Sequence, residues 1–170
     1  KIHIAQARGT GEPGVLLDYS ILATASNVRL KGTETYYVNA AVTLSGTTVI
    51  EGNCVVKMTN APYGSLTLSG TITCLTGPGS PAIFTSLNDD SVGEVLPWSN
   101  GNPTSGYYGA PFIQVMTAGQ VLKHLRVAHA DTGIFYHDYS AGGSNVLTHA
   151  QMIRCNTALK VNGYGQSVQK

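Results

Sequence analysis

The chain has 170 residues, enough for one domain with a sizeable core, and ten Lys and Arg against nine Asp and Glu leave a net charge of +1. Charged residues make up only 11%, well under the roughly one quarter of an ordinary soluble chain. The four arginines (Arg8, Arg29, Arg126, Arg154) are scattered, so the basic stripe that nucleic-acid binding requires is missing, and no apolar run approaches the roughly 18 residues of a membrane span.

The first residue is Lys1, with neither Met nor a signal peptide, so the chain reads as mature, processed or a piece of something longer. Residues 1–35 match no repeating unit and read as an N-terminal cap or lead-in. Their one mixed apolar stretch, Val15 to Ala25, is either a short strand or a capping helix, and we take it as a cap.

Short alternating segments follow. Val42-Thr-Leu-Ser-Gly-Thr47 matches Leu66-Thr-Leu-Ser-Gly-Thr71 at an offset of 24. Farther on, Val121-Leu-Lys-His-Leu-Arg-Val matches Val146-Leu-Thr-His-Ala-Gln-Met at an offset of 25, with identities at 121/146, 122/147 and 124/149, and again at Thr132/Thr157. Alternation such as Val42-x-Leu44 and Leu125-x-Val127 puts one face inward and one outward, and Gly and Asn punctuate the segments. Strands of three to five residues at this period are what one coil of a three-sided β-helix needs. A sandwich has no reason to repeat in register, and a propeller blade needs about 40 residues. Coils are predicted over 36–58, 65–87, 111–136 and 145–164, with a long Gly-, Pro-, Ser- and Asn-rich loop at 88–110 and a tail at 165–170. The expected fold is all-β, a right-handed parallel β-helix (solenoid) of about four to five coils with an N-terminal capping segment. No amphipathic segment follows Ala158–Val161 to cover the last coil, so an edge and an apolar floor are expected there.

Residues 36–58, and Pro81 to Glu94 with its Phe84-Thr-Ser-x-x-Asp-Asp-Ser-Val-Gly phrase, resemble the opening coils of large secreted bacterial β-helix proteins of the pectin-lyase-like superfamily. Leu125 to Ile134 is similar to their later coils, so the resemblance covers about residues 36–161. It implies an extracellular or cell-surface location and, where activities are known, lyases or hydrolases acting on acidic polysaccharides. Such enzymes carry acidic residues on outward strand positions. Here the outward positions are Thr43, Thr67, Gln114, Arg126 and Gln151. None is a carboxylate, whereas glycoside hydrolysis needs two and uronate proton abstraction needs a base with a neutralising partner.

Other candidates remain. Asn88, Asp89, Asp90 and Glu94 crowd one segment. They supply oxygens of the kind Ca²⁺ takes, or they form a turn in which Asn and Asp bond nearby backbone amides; calcium is the one cofactor entertained. Trp98, Tyr107 and Tyr108 are the candidate ligand surface, able to stack on sugar rings, or they fold back as a lid on apolar surface. His124 and His149 occupy matching positions and read as a surface ladder, while His129 and His137 flank turns without a visible partner. Cys54, Cys74 and Cys155 lack zinc spacing and read as small buried residues, with a Cys54–Cys74 disulfide or a Cys155–His129 pair as rivals. The expectation is a non-catalytic structural or adhesive module whose partners are further copies stacked end to end, later coils of a parent chain, or a polysaccharide. A carbohydrate-binding module and a polysaccharide lyase or hydrolase are the alternatives.

Overall fold

The computed structural model describes residues 18–137 and 144–162. Among them every regular element is a strand. In chain order these are β1 (Tyr19–Ile21), β2 (Ala25–Ser26), β3 (Arg29–Leu30), β4 (Thr35–Val38), β5 (Ala41–Glu51), β6 (Val55–Met58) and β7 (Ser65–Leu75). There follow β8 (Ala82–Ser86), β9 (Ile113–Val115), β10 (Val121–Ala128), β11 (Thr132–His137), β12 (Val146–Ile153) and β13 (Thr157–Asn162).

The strands form two sheets, one ordered β1-β4-β6-β8-β10-β12 and one ordered β13-β11-β9-β7-β5-β2, with β3 also on β5. Every ladder between them is parallel. A parallel pair needs a long crossover, and here the crossover is the remainder of each coil. The chain therefore winds as a parallel β-solenoid of about five turns.

The sequence repeat is the register of the stack. Val121 pairs Val146, Leu122 pairs Leu147 and Val127 pairs Met152; Val42 pairs Leu66 and Leu44 pairs Leu68. Each offset is one rung. Leu66 in turn pairs Ile113, an offset of 47 rather than 24, and the surplus is the 88–110 segment, inserted at the corner between β8 and β9.

Inward residues stack into columns, among them Tyr36–Val56–Phe84–Val127–Met152 in one sheet. The other sheet supplies Val42–Leu66–Ile113–Ile134–Leu159 and Leu44–Leu68–Val115–Tyr136–Val161. All but the last rung of each is buried, which removes their apolar surface from water and drives the winding.

The lead-in departs from expectation. Residues 19–30 form a rung: β1 pairs β4, and β2 and β3 pair β5. Residues 18–25 are bend and strand, the short-strand alternative rather than the cap we favoured, because pairing with the next rung satisfies their backbone while Leu22 and Leu30 fill the core. Residues 1–17 of the expected cap, the last two residues of the coil 145–164 and the tail 165–170 lie outside the described residues.

Candidate functional site

Two outward columns of the six-stranded sheet place the most elaborate feature of the molecule. One runs Thr35–Val55–Ile83–Arg126–Gln151, the other Ile21–Tyr37–Lys57–Thr85. Outward residues on a solenoid ordinarily meet water. Here Val55, Tyr37, Lys57 and Thr85 are buried, because the 88–104 stretch folds back across them. Gly93, in the left-handed region at φ +62°, fits against Thr35 and Val55 where a Cβ would collide with both side chains. The Glu94 amide donates to Thr35 Oγ1 at 3.0 Å.

Lys57 is the fastening. It is 0% exposed, and its ammonium donates to the carbonyls of Asp89 at 2.8 Å and Glu94 at 2.6 Å. Burial pulls its pKa below the ordinary lysine value, while the nearby Asp90, Asp89 and Glu94 carboxylates work the other way. The acidic segment is thus wrapped around a cation that the chain itself supplies.

The acidic residues are spent mainly on the loop. Asp89 Oδ2 accepts from the Thr85 hydroxyl at 2.6 Å, and Oδ1 accepts from the Ser91 hydroxyl and amide at 2.5 and 3.1 Å. Burial opposes ionisation of Asp89, but the bonds from Ser91 and Thr85 outweigh it and hold the carboxyl below its usual value. Asp90 Oδ1 accepts from the Ser99 hydroxyl at 2.6 Å. Asn88 accepts from the Asn100 amide and donates to the Tyr108 hydroxyl. Among the described residues no group of three or more His, Cys, Asp or Glu is placed to hold a metal ion.

The three predicted aromatics do not form one surface. Trp98 lies on Tyr37, ring centroids 5.5 Å apart, and edge-on to Tyr19 at 6.2 Å, yet remains 58% exposed. Tyr108 is buried, its hydroxyl accepting from Asn88 and from the Thr104 amide, and Tyr107 stands edge-on to it at 5.4 Å. Trp98 and Tyr108 therefore pin two different parts of the loop.

Between the loop and the last rungs of the sheet lies a groove of about 410 Å³. Asp89, Asp90 and Ser91 form one wall, Arg126 and Arg154 the other, and Ala128, His129 and Ile153 also line it. No ion pair closes across it among the described residues. His129, in the left-handed region at φ +65°, is 6% exposed with Nδ1 buried and unpartnered among the described residues. Burial lowers its pKa, Asp89 opposes that, and Arg154 and Arg126 reinforce it.

His124 and His149 stack face to face, centroids 4.6 Å apart and planes within 4°, at equivalent left-handed corner positions. Burial, then His149, then Lys123 lower the His124 pKa. His137 is not isolated: its Nδ1 is 3.1 Å from the Gln114 amide nitrogen and its ring stacks on Phe135. Cys54 and Cys74 are buried and Cys155 half-buried, all free. The Cys155 thiol contacts the Val127 and Ile153 carbonyls rather than His129, and burial raises its pKa, which suits an inert thiol.

Sequence reasoning missed Lys57, Arg154 and the partners Tyr19 and Tyr37. The available signal was the outward column itself. Tyr37, Val55 and Ile83 are too apolar for a wetted face, and a covered column makes the lysine within it a buried one. Compared with protein-family models, curated proteins and solved structures, the chain matches none of them.

Proposed function

We propose that the chain is a non-catalytic structural or adhesive module of an extracellular bacterial surface protein, on the coil plan of the pectin-lyase-like β-helices it resembles. It acts by docking end to end on another coil, one farther along the same polypeptide or one of a second copy. The observation that carries this is the state of the last rung. Leu122, Val127, Ile134 and Tyr136 are at most 1% exposed. Their partners one rung later, Leu147, Met152 and Leu159, are only half-buried, and Val161 is 40% exposed. β12 and β13 are also the edge strands of their sheets. An edge that pairs no later strand among the described residues, above an apolar floor, invites another coil, and a head-to-tail contact between copies propagates without closing. The absence of enzymatic action is supported by the outward columns. The columns Thr43–Thr67–Gln114–Phe135–Lys160 and Thr35–Val55–Ile83–Arg126–Gln151 carry no carboxylate of their own.

Sedimentation velocity over a concentration series tests the docking. The expected result is a size distribution that grows with concentration for the native chain and collapses to monomer for Leu159→Lys, which sets a charge in the floor. A native chain that stays monomeric throughout, or a Leu159→Lys chain that associates as before, overturns the reading.

A further inference from the structure

We propose that the groove between the 89–103 loop and the last rungs of the six-stranded sheet binds a small zwitterion, a ligand carrying both a carboxylate and an ammonium group. The argument begins with the charges. Arg126 projects from β10 at an outward position, and Arg154 stands at the corner just beyond β12. Neither guanidinium makes a hydrogen bond or an ion pair among the described residues. Opposite them, Asp90 commits Oδ1 to Ser99 and leaves Oδ2 unspent. Asp89 contributes field rather than contact, since both of its oxygens are engaged. Charges of opposite sign thus line two sides of one groove without closing on each other.

A simple anion would gain the two guanidinium groups but face two carboxylates. A simple cation would meet the reverse. A ligand bearing both charges satisfies each wall. Its carboxylate accepts from Arg126 and Arg154, whose planar donors match that geometry, and its ammonium donates to Asp90 Oδ2. A volume of about 410 Å³ has room for such a molecule.

His129 supplies an independent indication. It lines the same groove at 6% exposure, and its Nδ1 is buried without a partner among the described residues. Native folds seldom leave such an atom unmet, because the loss costs on the order of 1–3 kcal/mol. A polar group entering beside it supplies the partner. The loop wall is rigid enough to be selective, since Lys57 and the Asp89 and Asp90 bonds fix it from behind.

Calorimetric titration of the whole chain tests the proposal, with glycine, β-alanine and 4-aminobutyrate as probes of increasing charge separation and acetate and ethylammonium as single-charge controls. At least one amino acid is expected to bind saturably and at least about tenfold more tightly than either control, with Arg126→Met and Asp90→Asn each weakening it about tenfold or more. Asp90→Asn keeps an oxygen for the Ser99 hydroxyl, so both variants are expected to fold, as circular dichroism checks. Lys160→Met, on the other sheet, should leave binding unchanged. Absence of binding by all three amino acids overturns the proposal. So does acetate binding as tightly as they do, or equal weakening by Lys160→Met, which would mark a diffuse charge effect.

Discussion

Gly70→Ala is expected to destabilise the protein by roughly 3 kcal/mol or more, far beyond the usual effect of one added methyl. Gly70 sits on β7 directly against Gly46 on β5, at the corner where both long strands bend from one side of the solenoid to the next. A Cβ on Gly70 would fall inside the van der Waals envelope of the Gly46 carbonyl oxygen, a backbone atom that cannot swing aside. Gly46 is itself held in the left-handed region at φ +66°. It is capped from the rung before by Asn27, whose side-chain oxygen accepts from the Thr47 amide at 3.1 Å. The three residues form a ladder at one corner, and adding bulk on the third rung pushes on the second and the first. Urea denaturation measures the loss. Ser69→Ala, one residue earlier and facing out, is the control and should stay within about 0.5 kcal/mol of the native chain. Near-native stability in Gly70→Ala would mean the corners are not stacked this closely.

The second large effect is at Lys57. Lys57→Met keeps most of the side-chain volume but removes the ammonium, leaving the Asp89 and Glu94 carbonyls without their donor beneath the loop. An unsatisfied buried polar group costs about 1–3 kcal/mol, and relief of the burial penalty on the charge offsets part of the sum. A net loss of roughly 2–3 kcal/mol is expected. Its distribution is more telling than its size. The coils keep their own ladders, so the loop should open first. Hydrogen exchange should accelerate at the Ser91, Glu94 and Ser99 amides, which bond to Asp89, Thr35 and Leu96, while amides of β5 and β7 stay protected. Unchanged exchange in the loop would contradict the assignment of Lys57 as its fastening.

The stack was legible because its columns leave a trace in one dimension. Val42 and Leu66, or Leu122 and Leu147, face the same interior one rung apart, so similar residues recur at the coil length. The outward positions Thr43, Thr67, Gln114, Arg126 and Gln151 followed from the same register. The first rung was not legible. Its strands β1, β2 and β3 have two or three residues each, too short for alternation to show, and β2 and β3 pair different halves of β5. Nor was the architecture of the loop, whose contacts join residues without periodic relation: Trp98 with Tyr19 and Tyr37, Lys57 with Asp89 and Glu94. A lysine read alone is a surface residue, and three aromatics close in sequence read as one patch. Tyr108 is instead buried by a hydroxyl network while Trp98 lies over the far rungs.

Cysteine cross-linking of adjacent rungs examines the winding itself. Thr43 and Thr67 face outward in register on β5 and β7, at a rung spacing of about 4.8 Å that lies within disulfide reach. Thr43→Cys with Thr67→Cys should oxidise to an intramolecular disulfide in the folded protein, detected by mass spectrometry of the digest. Thr43→Cys with Gln114→Cys, two rungs apart at about 9.6 Å, should not. A bond in the second pair, or none in the first, would show that these segments are not consecutive turns of one solenoid.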